Sequence, residues 1–354
     1  MRVYVALRDR LLDCSTDSGR EWKTATRLEG RALECVATAP AAPDRVFVGT
    51  FESGLFRSTD GGETFERLET DDVFESDAVM SLTISPHDPD VIYAGTEPSR
   101  VYRSTDGGES WAHLDGLTDL PSSSEWYFPP RPETHHVRWL EVDPFDPDRL
   151  YVGIEAGAFV LSEDGGETWR ERPEGSRIDN HSLATHPDRE GRVYTAAGDG
   201  YAESDDGGEH WGHPQDGLEH RYCWSVVPDP ADPERVLVSS ASGASSAHTA
   251  SRAESYVYRR SRSGSESETV SRAESKSTAE GEPWERLDEA GLPMGEGVVR
   301  AVFAAAEESG DIYAVNNQGL FRTEDFGDSW DQVDIEWPEG AETQTPRGLA
   351  VVET

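Results

Sequence analysis

Imidazoles and guanidiniums collect at the starts of short apolar runs. "HHVRWLEV" carries His135, His136 and Arg138, "NHSLAT" carries Asn180 and His181, "RYCWSVV" carries Arg221 and Tyr222, and "VVRAVF" and "PRGLAVVE" carry Arg300 and Arg347. Glu155 in "GIEAG" and His248 in "SSAH" fall in glycine- or serine-rich turns, and Trp126 lies in the aromatic stretch "EWYFPP". Three chemistries suit these types. Arg138, Arg221, Arg300 and Arg347 could clamp a carboxylate, with Tyr222 as nucleophile and Glu155 as base, as glycoside hydrolysis of an acidic sugar needs. His136, His181, His248 and Glu155 could hold a divalent metal, the one cofactor this set would take, although no HxxxH-like spacing supports it. Without chemistry, the same groups with Asn180 and Trp126 would bind a small anionic ligand or a protein segment. Taken singly, any one arginine here is better read as serving a structural salt bridge to the next blade.

Residues so far apart in sequence meet only if the chain repeats, and it does. "STDSGREW", "STDGGETF", "STDGGESW", "SEDGGETW", "SDDGGEHW" and "TEDFGDSW" place Asp17, Asp60, Asp106, Asp164, Asp206 and Asp325 at intervals of 43, 46, 58, 42 and 119 residues. The last interval leaves room for one more copy, and "EGEPWERL" around Trp284 supplies its remnant. Three β-rich runs precede most boxes and a fourth follows, with Pro/Asp and Gly turns between them. Four strands recurring every forty-odd residues predict an all-β, seven-bladed β-propeller of four-stranded antiparallel blades, one domain over residues 1–354. The N-terminal unit lacks a first strand and "RGLAVVE" is a first strand lacking a blade, so the C-terminal strand is expected to join the N-terminal blade and close the ring. In each box the Asp carboxylate is expected to accept backbone amides, glycine to take positive φ, and the aromatic to plug the gap between sheets.

The pattern S-x-D-x-G-x-x-W resembles the Asp-box, or BNR repeat, of sialidases, sortilin-type receptors, some endoglucanases and a photosystem II assembly factor. The chain is also similar to WD40/YVTN/BNR-like repeat proteins that are labelled glycosyl hydrolase or exo-sialidase by similarity. The resemblance implies the propeller and places the boxes at its periphery, away from the active face. It brings no catalytic residue with it, and the sialidase Arg-Ile-Pro motif is absent.

In such a disc the starts of the innermost strands and the turns between second and third strands share one face. The residues named at the outset therefore converge on one central funnel, joined by Asp77, Glu52, Asp199 and Asn317, while His87 and His186 fall on the opposite face. Two insertions flank the funnel. "GLTDLPSSSEWYFPPRPETHH" is either a lid over the face or a clamp closing an inter-blade gap, and a low-complexity stretch at about 243–281 within blade 6 is too polar to order most of its length, apart from a third strand at "SYVYRR".

Seventy acidic residues face 32 basic ones, a formal net charge of −38, and the only lysines are Lys23 and Lys276. Spread along the whole chain, this balance resembles the cytosolic proteins of halophilic archaea and disfavours nucleic acid and anionic membrane as partners. With no signal peptide or long apolar run, the expected location is the cytoplasm and the expected state a monomer. Cys14, Cys35 and Cys223 show no CxxC spacing and are expected to be free thiols.

Overall fold

The computed structural model describes residues 1–17, 21–261 and 283–353. Among these residues the strands form seven sheets, each a blade in chain order. The innermost strands are Gly348–Val352, Leu33–Ala39, Val79–Ile84, Val137–Val142, Asn180–Thr185, Tyr222–Asp229 and Val302–Ala305, for blades 1 to 7. Gly348–Val352 pairs antiparallel with Arg2–Ala6, Gly348 opposite Ala6 and Val352 opposite Arg2, so the two ends of the chain share blade 1 and the ring closes as expected. Apolar side chains of the middle strands, such as Val46, Val48, Tyr151 and Val193, are fully buried between neighbouring blades. That burial is the main term holding the disc together.

The boxes behave as their composition dictates. In blade 3 the Ser110 N–H donates to Asp106 Oδ1 at 2.9 Å, Ser104 Oγ donates to the same oxygen at 2.8 Å, and the Gly108 N–H donates to Ser104 Oγ at 2.9 Å. Gly108 sits at φ 89°, and a Cβ there would come within 2.8 Å of the Phe47 ring of blade 2. Glycine is thus required both by backbone angle and by the closeness of the next blade. The terminal aromatics pack into inter-blade clusters: Trp211 against Phe159, Trp330 against Phe303. Trp284 does the same in blade 6, its Nε1–H donating to the Pro214 carbonyl at 2.7 Å just before the outer strand Glu285–Arg286. The degraded box therefore keeps its plug.

Two local departures stand out. Blade 5 has three strands, and a single bridge between Glu203 and Gly212 replaces the fourth. The segment "WGHPQD" explains it, because Pro214 has no N–H to donate and Gly212 has no side chain to pack. In blade 6 the compositional expectation of disorder fails at its start. Ala244–His248 is a one-turn helix and Ala250–Arg252 a 3-10 turn, anchored by buried Ala247 and Ala253, before the expected third strand, Glu254–Arg260. The rest of that insertion, from residue 262, lies outside the described residues. Cys14, Cys35 and Cys223 are free thiols.

Candidate functional site

One face of the ring opens into a cavity of about 1160 Å³ over the innermost strands. Its wall at blades 3 to 5 is an ion-pair chain. His136 is buried at the first position before the blade 4 inner strand and donates from Nε2 to Glu155 Oε2 at 2.9 Å, while its Nδ1 faces Glu97 Oε2 at 3.4 Å. Arg131 grips Glu97 with two hydrogen bonds of 2.7 and 2.5 Å and lies between the rings of Phe51 and Phe128. Burial works against charge on His136, but the carboxylates of Glu155 and Glu97 outweigh it and hold its pKa above the ordinary value. Burial also opposes ionisation of the two carboxylates. The His136 and Arg131 partners nevertheless bring Glu97 down to about 2, and His136, His181 and Arg138 hold Glu155 well below the usual carboxylate range.

The second half of the wall is built around Trp224, an inward residue of the blade 6 inner strand. The Arg300 guanidinium lies 3.9 Å above its ring and that of Arg138 4.8 Å from it, and the imidazoles of His181 and His248 pack 4.4 Å from the same indole. Cation–π contact is how two guanidiniums are tolerated so close together in a desolvated place. Arg300 is fully buried and both its terminal nitrogens lack a hydrogen-bond partner among the described residues. Burial, with Arg138 and Arg347 beside it, pushes its pKa down. Its Nε points at His248 Nδ1, 3.4 Å away, and because arginine only donates, His248 must accept there and donate its Nε2–H to Tyr222 Oη at 3.1 Å. Burial and Arg300 keep His248 neutral. The Tyr222 hydroxyl is thereby left to point elsewhere, but burial and the charges of Glu155 and Asp179 raise its pKa, the opposite of what a phenolate nucleophile needs.

The structure brings together His136, Arg138, Glu155, His181, Tyr222, His248, Arg300 and Arg347, the last 3.6 Å from Glu34. It does not bring in three others. Asn180 is buried behind the wall, its amide donating to the Arg177 carbonyl at 2.9 Å and accepting from Thr195. Arg221 lines a separate shallow depression with His213 and Gln215. Trp126 is buried in the blade 3–4 core, its Nε1–H held by Ser122 Oγ at 2.8 Å. The inter-blade insertion divides its roles: Trp126 clamps the gap and Phe128 with the following prolines rims the cavity. Of the further funnel residues, Asp77 pairs with Arg67 at 2.9 Å and Asn317 caps backbone groups at Val299, Gly297 and Glu342. His87 and His186 bond to the Asp143 and Asp229 carbonyls of the next blade, as expected of opposite-face turns.

Sequence reasoning missed Glu97, Asp179 and Trp224. Glu97 in "GTEPSR" occupies the turn that Glu155 occupies one blade later, so strict blade alignment would have found it. Asp179 immediately precedes Asn180, and Trp224 follows Tyr222 by two, on the same side of the strand.

Comparison with known proteins bears on the fold. A family model described as sortilin, neurotensin receptor 3, matches residues 11–119. No curated protein matches. Among solved structures, the chain is similar to a Niastella koreensis GH74 enzyme (TM-score 0.65, 15% identity, 99% of this chain and 52% of that one) and to an ancestral GH74 enzyme (0.63, 14%, 87% and 39%). It is also similar to YCF48 bound to D1 peptide (0.56, 14%, 86% and 83%). The chain spans about half or less of the GH74 enzymes it matches. The structural neighbours agree with the sheet topology on a β-propeller fold, and the boxes recur around it.

Proposed function

We propose that the protein is a recognition scaffold whose central cavity binds a carboxylate-bearing ligand, either a small anion or an acidic peptide end. The observation that carries this reading is the reversal of charge. Five arginines (Arg8, Arg31, Arg131, Arg138 and Arg347) face four carboxylates (Asp9, Glu34, Glu155 and Asp179) in the cavity lining, and even with Glu97, which Arg131 grips, the two signs balance there, whereas the chain as a whole carries −38. A cationic pocket in an acidic molecule focuses field lines on anions. Arg300, with two unpartnered nitrogens behind Trp224, adds a further positive charge to the same wall. Guanidinium forks match carboxylates bidentately, which favours a carboxylate over a spherical anion.

The test is a thermal-shift screen at low and at molar KCl with sugar acids, dicarboxylates and peptides bearing a free C-terminal carboxylate. Binding to the folded state raises the apparent Tm by mass action. We expect a shift that Arg138→Ala and Arg347→Ala each reduce and that salt weakens. A wild-type protein unmoved by every carboxylate at either salt would overturn the reading.

A second reading, hydrolysis of an acidic sugar, draws on one pair. Glu155 is held ionised, whereas burial and the nearby Glu155 raise Asp179, and their oxygens lie within 4.8 Å of one another. Carboxyl groups whose environments push their pKa values apart are how glycosidases assign base and acid. Turnover of aryl glycosides that Glu155→Gln abolishes would favour this reading over simple binding.

A further inference from the structure

The blade 4–5 corner of the cavity contains a donor set that recognition of an anion does not use. His181 is fully buried, and its Nδ1–H donates to the Cys223 carbonyl at 2.6 Å, a bond that fixes the ring and its tautomer. In the neutral form that metal binding requires, Nε2 is then the nitrogen that presents a lone pair. It has no hydrogen-bond partner among the described residues, and Asp179 Oδ1 stands 3.8 Å and Glu155 Oε1 3.9 Å from it. Those separations are too long for hydrogen bonds. The edge of a coordination tetrahedron is about 3.3 Å when metal–ligand bonds are about 2.0–2.1 Å, and the three donor atoms lie within 4.8 Å of one another, so an ion would gather them by drawing the two carboxylates inward.

The carboxylates are themselves anchored from behind. Asp179 Oδ1 accepts the Ala156 N–H at 2.8 Å, and Glu155 Oε2 is held by His136, which leaves Oε1 turned towards His181. Gly198 packs so closely that a Cβ there would lie 1.8 Å from Asp179 Oδ2, so the blade 5 turn makes room for this carboxylate to stand where it does. Outer contacts that fix ligand orientation accompany metal centres generally, and a backbone carbonyl is one of the usual partners of the distal histidine nitrogen. Glu155 and Asp179 also line the cavity, which leaves the fourth side of the group open to it.

We propose that Glu155, Asp179 and His181 form a three-ligand site for a divalent transition-metal cation, with an open coordination position facing the central cavity. One imidazole and two carboxylates make a nitrogen/oxygen set suited to zinc or manganese rather than to calcium or magnesium, which prefer all-oxygen shells. His136 is set apart because its Nε2 donates to Glu155 and its Nδ1 faces Glu97 at 3.4 Å, and His248 because its nitrogens are taken by Arg300 and Tyr222. An ion here would present its open position to the same space that the arginines surround. The site does not depend on the anion reading, since its donors are not the ones that clamp a carboxylate.

The experiment is calorimetric titration of the EDTA-treated, dialysed full chain with Zn²⁺ and Mn²⁺ in KCl without any anionic ligand, followed by Co²⁺ titration read by visible absorption. One tightly bound ion per chain and Co²⁺ bands of a nitrogen-ligated, low-coordinate site are expected. Because loss of an outer contact alone costs about 10–100-fold in affinity, His181→Gln and Asp179→Asn should each weaken binding by more than about 100-fold. Asp71→Asn, on the exposed surface, should leave binding unchanged. Only weak, multiple binding by the wild type, with a Co²⁺ spectrum like that of the aquo ion, would overturn the proposal. So would full-affinity binding by both site variants. If a variant fails to fold, the wild-type stoichiometry and spectrum still decide, and loss of metal binding with retained carboxylate-induced thermal shifts would remove this site while leaving the scaffold reading intact.

Discussion

Glu155 is the residue on which most of the cavity wall depends, because His136, Arg138 and His181 all face its two oxygens. Replacing it by glutamine leaves the buried His136 and Arg138 cations without their counter-charge, and we expect Glu155→Gln to lower stability by about 3–5 kcal/mol in guanidinium chloride denaturation. The pH dependence follows from the directions of the shifts. Glu97 and Glu155 have depressed pKa values in the folded protein, so their contribution is present above the unfolded value of about 4.3 and is lost as pH falls, for Glu97 through about 2. His136 is raised, so its contribution is complete below the unfolded value of about 6.5 and is lost as pH rises through the folded one. Stability from this cluster should therefore be greatest between about pH 4.5 and 6.5. In His136→Gln the alkaline decline should flatten, and a wild-type-like alkaline limb in that variant would contradict the assignment. Much of this wall was legible in the sequence because His136, Glu155 and His181 sit at positions fixed by the repeat. Arg221 and Trp126 were not, since each lies in an irregular segment whose direction no periodicity sets.

At the scale of a blade, each box joins its own sheet to the preceding one. Gly108→Ala must strain a backbone at φ 89° and displace the Phe47 ring, and should cost about 1–3 kcal/mol, read as a lower denaturation midpoint with unchanged slope. Trp284→Ala should cost more, about 3–5 kcal/mol, because it empties a plug that is buried and also releases the Pro214 carbonyl. A small effect there would mean that blade 6 had lost its dependence on the box position along with the box sequence. The strands were readable because alternation and turn residues recur with the repeat. The missing outer strand of blade 5 was not read, although Pro214 announced it, because a box followed by an aromatic promises a fourth strand that only the next few residues can deny.

At the scale of the whole molecule, the acidic surface and the cationic cavity respond oppositely to salt. Screening relieves the repulsion among surface carboxylates, so the unfolding midpoint should rise with KCl from about 0.1 M to molar concentrations, whereas carboxylate binding in the cavity should weaken over the same range. A midpoint independent of salt would remove the argument from charge to a saline setting. Among the described residues no helix is long and apolar enough to cross a membrane. The ring closure between Gly348–Val352 and Arg2–Ala6 carries a consequence in time. On a ribosome adding about 5–20 residues per second, the first three strands of blade 1 wait roughly 20–70 s for the fourth, long after blades 2 to 6 can pair. Blade 1 is thus begun before the other blades and completed after them, and a circular permutant in which Gly348–Val352 directly precedes Arg2–Ala6 should reach the native state faster than the parent while reaching the same one.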